Sequence, residues 1–313
     1  MSSSNSTSSN VIPQGYLLSQ IIVSFLLATP AVLSNVILLF TIYRTQLWRT
    51  PVTLLVINLS VSDFLSGMIP GFGSLYYDIN LFIDQTRENV LGLRLALITA
   101  AVVTNIVASC TIAAMSFDRF FAVSSPLQYK RRVTTRKIKV FIAIVWIYAV
   151  LFSSIAMVVS VSTFVLLYCH LHVSLPLIIL PVVYWRTYRA LCCHNNQVQN
   201  VAEGTVVEQI AFEHRNRQRK MISAFLIVLV LFYATFAPQY IAQNILVAHP
   251  SYGELESFNF FLYTSNKFLL VNCSLNPFIY AWRIPKYRKA FKDVFKGWCC
   301  RKKSQYNVAD ASI

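Results

Sequence analysis

Hydropathy along the chain rises in long apolar runs near residues 17–43, 52–77, 91–117, 140–160, 163–185, 221–248 and 257–282. Each is long enough to cross ~30 Å of hydrocarbon, which takes about 20 residues of helix. The fourth and fifth runs are divided by length, because no Asp, Glu, Lys or Arg occurs from Val140 to Trp185. A single helix over that stretch would run about 69 Å, more than two hydrocarbon thicknesses. A very short turn is therefore expected near Ser160–Thr163. After the last run, Tyr287, Phe291 and Phe295 recur at helical spacing among Lys286, Arg288, Lys289, Lys292 and Lys296. That pattern predicts an amphipathic helix lying on a membrane surface. The expected fold class is an all-α membrane protein, a seven-transmembrane helix bundle with a short amphipathic eighth helix.

Composition agrees, with 56% hydrophobic and 12% charged residues and a mean hydropathy of +0.55. A net charge of +15 would suit a nucleic-acid binder, but its placement excludes that reading. Of the 27 Lys and Arg, 23 follow spans one, three, five and seven and share one side; Arg87, Arg94 and Lys267 lie toward the other, and Arg119 is within span three. The positive-inside rule then puts the N-terminus outside and the C-terminus in the cytoplasm. The expected organisation is an extracellular tail over 1–15, a transmembrane domain over 16–283, an amphipathic surface helix over 284–298 and a cytoplasmic tail over 299–313. The third cytoplasmic loop, roughly Cys192 to Arg219, is polar and expected to be partly ordered.

The first 15 residues carry no basic region, so no cleavable signal peptide is expected. Asn5 begins a glycosylation sequon on the outer tail, whereas the sequons at Asn58 and Asn272 fall inside spans. The seven cysteines fall within spans or on the cytoplasmic side, so no extracellular disulfide is expected. Cys299 and Cys300, directly after the surface helix, are candidates for palmitoylation, with unmodified thiols as the alternative.

Each span also carries a polar, aromatic or proline landmark. Asn35 lies in span one, Asn58-Leu59-x-x-x-Asp63 in span two, Asp118-Arg119-Phe120 at the end of span three and Trp146 in span four. Span five has Pro176 and Tyr184, span six Phe232 and Pro238, and span seven closes on Asn276-Pro277-x-x-Tyr280. In this order the set resembles the class A, rhodopsin-like G-protein-coupled receptors over nearly the whole chain. No internal repeat of the kind many transporters show is apparent.

The resemblance implies a role for each landmark. Asp118 would hold Arg119 inactive until it is released to a heterotrimeric G protein, with Phe120 replacing the commoner Tyr. Tyr184 and Tyr280 would swing inward on activation, Pro238 would let span six bend outward, and Phe236 stands where a switch Trp is usual. Leu127, in Pro126-Leu127-Gln128-Tyr129, would insert into the G protein. Gln218 occupies the place of an acidic partner for Arg119, which leads us to expect raised basal activity. Asp63 is expected to be the one deep carboxylate, with Asn35, Asn272 and Asn276 around it. The family's hydroxyl places hold Ala108 and Cys273, so a sodium site and a protonated or water-solvated carboxylate are both compatible with the sequence.

In the outer half, Ala101 replaces the aspartate of amine receptors, which argues against a monoamine ligand. Leu270 replaces the lysine that binds retinal in visual pigments. Lys267 is expected to snorkel outward, with contact to an anionic ligand as the alternative. By family analogy Asn105, Tyr168, His172, Gln239, Tyr240, Gln243 and Asn266 line the pocket, although His172 and His170 are also candidates for simple interhelical bonding. Arg94 stands where the usual disulfide cysteine belongs, and the short loop near Ser160 leaves the pocket open above. Those departures are similar to the melanocortin, cannabinoid and lysophospholipid receptor group, and Tyr280 to Pro285 looks somewhat like adenosine receptors.

The expected function is a plasma-membrane receptor, not an enzyme. It needs no cofactor, binds a small non-monoamine extracellular ligand, and acts on a heterotrimeric G protein from within the lipid bilayer. A transporter or channel, or a light-sensing receptor, is the alternative. A transporter would need paired intramembrane charges or broken helices along a continuous path.

Overall fold

A computed structural model describes residues 13–84, 91–199 and 206–296, and those residues are almost wholly helical. Asn5, Cys299 and Cys300 lie outside the described residues. The spanning helices are α1 (Gln14–Arg44), α2 (Pro51–Ile83), α3 (Leu91–Ser124), α4 (Thr135–Ser154), α5 (beginning at Val161 and ending at Gln199), α6 (Val206–Ala248) and α7 (Glu256–Arg283). Six are long and apolar enough to cross a bilayer by composition alone. The seventh, α7, has 28 residues and so spans about 42 Å, but Lys267 and several asparagines dilute its hydropathy. A short helix, Pro126–Arg132, follows α3, and a further helix over 285–296 follows α7.

The ends of these elements follow from local chemistry. Pro51 and Pro126 open their helices, where a missing N–H costs nothing. Thr134 caps α4 by accepting from the Lys137 N–H at 3.4 Å, and Ser160 caps α5 from Thr163 N–H at 3.2 Å. Cys192 to Arg219, expected as a loop, is largely the extended ends of α5 and α6.

Two helices contain a widened turn that periodicity did not reveal. In α2 it is Gly67–Gly71, around Pro70, and in α5 it is His170–Ser174. Such π-turns insert one residue, and Pro70 favours this by withholding its N–H. Gly71 also permits close contact between helices, since a Cβ there would sit 2.9 Å from the Cβ of Ala28, which has no flexible end to move aside.

The main core is Leu38, Leu55, Leu59, Ile112, Met115, Phe225, Phe232, Phe236 and Tyr280, from α1, α2, α3, α6 and α7. Around it, Asn58 donates to Thr111 Oγ1 at 2.8 Å and accepts from Trp146 Nε1 at 2.9 Å, tying α2, α3 and α4 together. Asn58 and Asn272 are both buried, out of reach of glycosylation. The described cysteines Cys110, Cys169 and Cys273 are free.

The helix over 285–296 docks on the first turn of α2. Lys286 Nζ donates to Thr53 Oγ1 at 3.0 Å, and Tyr287 OH donates to the same atom at 3.2 Å. Burial, assisted by the nearby Arg119 charge, pulls the Lys286 ammonium down from 10.5 to about 8.

Candidate functional site

At one end of the bundle α3 presents Arg119 inward. Its guanidinium pairs with Asp118, donating from Nε at 3.0 Å and also from Nη2, and both side chains are 4% exposed. Tyr129 OH donates to the other Asp118 oxygen at 2.8 Å. The remaining arm of Arg119 reaches α6, where Nη1 donates to Gln218 Oε1 at 3.3 Å and contacts Met221 Sδ. α3 and α6 are thus joined by a hydrogen bond to a neutral acceptor where an acidic residue would have made an ion pair. Tyr129 had no role in the sequence reading; its place ten residues beyond Arg119 in a short helix gave no periodic signal.

Tyr184 and Tyr280 make other contacts here. Tyr184 OH accepts from Ser116 Oγ at 3.3 Å, while Tyr280 packs edge-on against Phe225 and its hydroxyl is buried without a hydrogen bond. Leu127 is 83% exposed, an apolar side chain held out from the Arg119 end, and Phe120 packs on Phe121. Phe232 and Phe236 stack at 5.6 Å one turn from Pro238, and Phe236 touches the Tyr168 ring at 6.1 Å.

Midway along the bundle, Asn276 Nδ2 donates to Asp63 Oδ2 at 2.8 Å, and Cys273 is buried in the same helix one turn before Asn276. Asn35 Nδ2 donates to the carbonyls of Ala31 and Cys273, both at 2.8 Å. Four buried oxygens, Asp63 Oδ1, Asn35 Oδ1, Asn272 Oδ1 and Asn276 Oδ1, accept no hydrogen bond. Sodium would need hard oxygen donors around it. The four unpaired oxygens are donors of that kind, while the family's two hydroxyl places hold the Ala108 methyl and the Cys273 thiol.

Toward the opposite end the pocket candidates separate into groups. Asn105 is half-buried on α3. Tyr168 stacks on His172 at 5.7 Å, and His172 Nε2 bonds Tyr148 OH at 2.9 Å. His172 therefore does make the interhelical bond weighed as its alternative role. Tyr240 OH bonds Ser174 Oγ at 2.8 Å, linking α6 to α5, while the buried Gln239 leaves Oε1 without a partner. Gln243 is half-buried. Asn266 is exposed between buried Ser265 and Lys267, on the side of α7 opposite the outward-facing Phe261, Phe268 and Leu275.

Lys267 overturns the expectation that it snorkels. It is 4% exposed, and its ammonium donates to Asp78 Oδ2 at 2.7 Å and to the Gln20 carbonyl at 3.1 Å. Asp78, wholly buried, also accepts from Tyr263 OH at 2.5 Å and Ser24 Oγ at 3.4 Å. Asp63 is thus not the one deep carboxylate: α1, α2 and α7 share a buried ion pair as well. The available signal was an aspartate within one turn of the predicted end of span two, with no basic neighbour in sequence.

A seven-helix membrane bundle with a restrained arginine at one end and a group of polar side chains toward the other is the architecture of a membrane receptor. The chain belongs to the rhodopsin family of seven-transmembrane receptors, whose family description, 7 transmembrane receptor (rhodopsin family), matches residues 34–165 and 159–280. Members of that family are receptors, not enzymes. A GQ-coupled rhodopsin of Mizuhopecten yessoensis is 24% identical over 298 residues, covering 87% of this chain and 58% of that protein. Melanopsin of Mus musculus is 26% identical over 297 residues, covering 86% of this chain and 54% of the relative. The chain therefore spans somewhat more than half the length of these relatives. The crystal structure of squid rhodopsin matches with a TM-score of 0.79 at 17% identity, over 92% of this chain and 88% of that one, a likeness of fold.

Proposed function

We propose that this receptor lies in the plasma membrane with its N-terminus outside, binds a small uncharged or weakly charged extracellular ligand, and catalyses nucleotide exchange on a heterotrimeric G protein. The arrangement of Arg119 carries the reading. In this closed arrangement its donors are spent on Asp118, Tyr129 and Gln218. Outward movement of α6 about Pro238 breaks the Gln218 bond and frees one arm of the guanidinium, and exposed Leu127 supplies an apolar contact for the same partner. Asn276 and Tyr280 then follow the movement of α7 at Pro277, with Tyr184 approaching from α5. Asp63 serves as a neutral or hydrated hinge between α2 and α7.

Asn105, Tyr168, His172, Gln239, Tyr240, Gln243 and Asn266 form the ligand pocket in this reading. Directional, uncharged groups of this kind favour a ligand with hydrogen-bonding functions and no strong charge. A ligand panel read through a promiscuous G-protein reporter tests it. For a hit, Asn105→Ala and Gln239→Ala are each expected to raise the half-maximal concentration about tenfold, the loss of one good hydrogen bond. Unchanged potency in both would move the ligand elsewhere.

Light sensing is the second reading, favoured by the opsin names of the relatives. Against it stand Leu270 in the retinal lysine's place and Lys267, whose ammonium is turned to α1 and α2. Purified protein incubated with retinal is expected to show no new visible absorption band that survives washing. A stable band lost in Lys267→Met would reinstate the photoreceptor.

A further inference from the structure

The turn between α4 and α5 differs in chemistry from the outer turn between α6 and α7. The latter, His249 to Glu256, carries a histidine and two glutamates, one of them in the Pro250–Glu254 turn. Between α4 and α5 no Asp, Glu, Lys or Arg is found, and the apex displays Met157 at 89%, Val158 at 86% and Val161 at 79% exposure. Three large apolar side chains at the tip of a water-exposed loop would be an unrelieved cost, of a kind soluble surfaces avoid as a contiguous patch.

Several backbone and hydroxyl groups of the turn are paired within it. Val158 and Val159 N–H groups both donate to the Ile155 carbonyl, at 2.9 and 3.1 Å, and Phe164 N–H donates to the Ser160 carbonyl at 2.9 Å. Ser153 and Ser154 hydroxyls both fold back to the Val150 carbonyl at 2.9 Å. Ser160 Oγ accepts from the Thr163 N–H and bonds the Thr163 hydroxyl at 2.8 Å. Pairing these groups within the segment lowers the cost of setting it against apolar surroundings.

Length agrees. From Lys139, the last cation before the run, to Val158 is 19 residues, about 28 Å of helix before any tilt, slightly less than the ~30 Å hydrocarbon thickness. We propose that the α4–α5 turn, Ile155 to Val161, is seated among the acyl chains of the outer leaflet, so that its apolar tip is a lipid-binding surface. In that position it anchors the outer ends of α4 and α5 and cannot fold over the pocket as a lid.

Thiol accessibility on the full chain in intact cells tests this. V158C and, as a control in the charged turn, S251C are treated with a membrane-impermeant charged thiosulfonate, with the unsubstituted chain as blank. The V158C thiol is expected to react at least about tenfold more slowly than the S251C thiol, because apolar surroundings suppress the thiolate and exclude the reagent. Repeating the comparison in permeabilised cells keeps it valid if the bundle were inverted, since S251C would then react only there. A spin label on V158C in nanodiscs supplies the second reading. Collision with oxygen above collision with a nickel chelate is the expected result. Reaction as fast as S251C, or a label open to the chelate, would overturn the proposal. So would a label shielded from both, which would put protein, such as a second copy of the chain, against the turn.

Discussion

Asp78→Asn is expected to destabilise the folded receptor by about 3–5 kcal/mol, the cost of leaving one member of a buried ion pair unpaired. The Lys267 ammonium would keep the Gln20 carbonyl as an acceptor but lose its counter-charge, in a site where it is 4% exposed. Moving it to water is not open to it without displacing α7 from α1, because the same lysine lies over the Tyr263 ring at 4.5 Å and Gln20 is itself bonded to Thr264. The observable is a sharp loss of surface expression and a lowered unfolding temperature in detergent. Asp78→Asn combined with Lys267→Met is expected to recover most of both, since it leaves no buried charge unpaired and keeps an amide oxygen at position 78 to accept from Tyr263 OH. Wild-type stability in Asp78→Asn alone would mean that the pair is not buried as described.

Gln218→Glu is expected to lower ligand-free signalling about tenfold at matched surface expression. The present bond from Arg119 to Gln218 is 3.3 Å and has a neutral acceptor. A carboxylate there turns a bond with one charged partner into an ion pair, stronger by roughly 1–2 kcal/mol, and each 1.4 kcal/mol on the closed state is a factor of ten in the open population. Gln218→Ala should move the other way by less, since Asp118 and Tyr129 still hold the guanidinium. Basal output that stays level or rises in Gln218→Glu would remove the α3–α6 contact from the resting restraint.

The spans were legible because apolar runs of membrane length leave few alternatives, and Gln218 was legible because its position is fixed relative to Pro238 along one uninterrupted helix. Asp78 was not. The π-turn at Gly67–Gly71 inserts a residue and rotates the rest of α2 by about 100°, so the face on which Asp78 emerges does not follow from counting on from Asp63. Lys267 failed for a related reason. Its angle on α7 places it off the pocket side, but whether that side meets lipid or a neighbouring carboxylate depends on a contact 189 positions away in sequence. His172 sits inside the second π-turn, and its bond to Tyr148 likewise joins helices whose relative rotation periodicity does not supply. Tyr129 was missed because the seven-residue helix Pro126–Arg132 is too short to show a pattern.

The central claim is that Arg119 transmits the state of the bundle to a G protein. The direct measurement is guanine-nucleotide exchange on purified heterotrimers by the receptor in nanodiscs without ligand, compared with Arg119→Ala and with empty discs. The account predicts exchange above empty discs for the native chain, and a fall to the empty-disc rate for Arg119→Ala with the protein still folded. Exchange that persists undiminished in Arg119→Ala, or is absent with every class of heterotrimer, would contradict it.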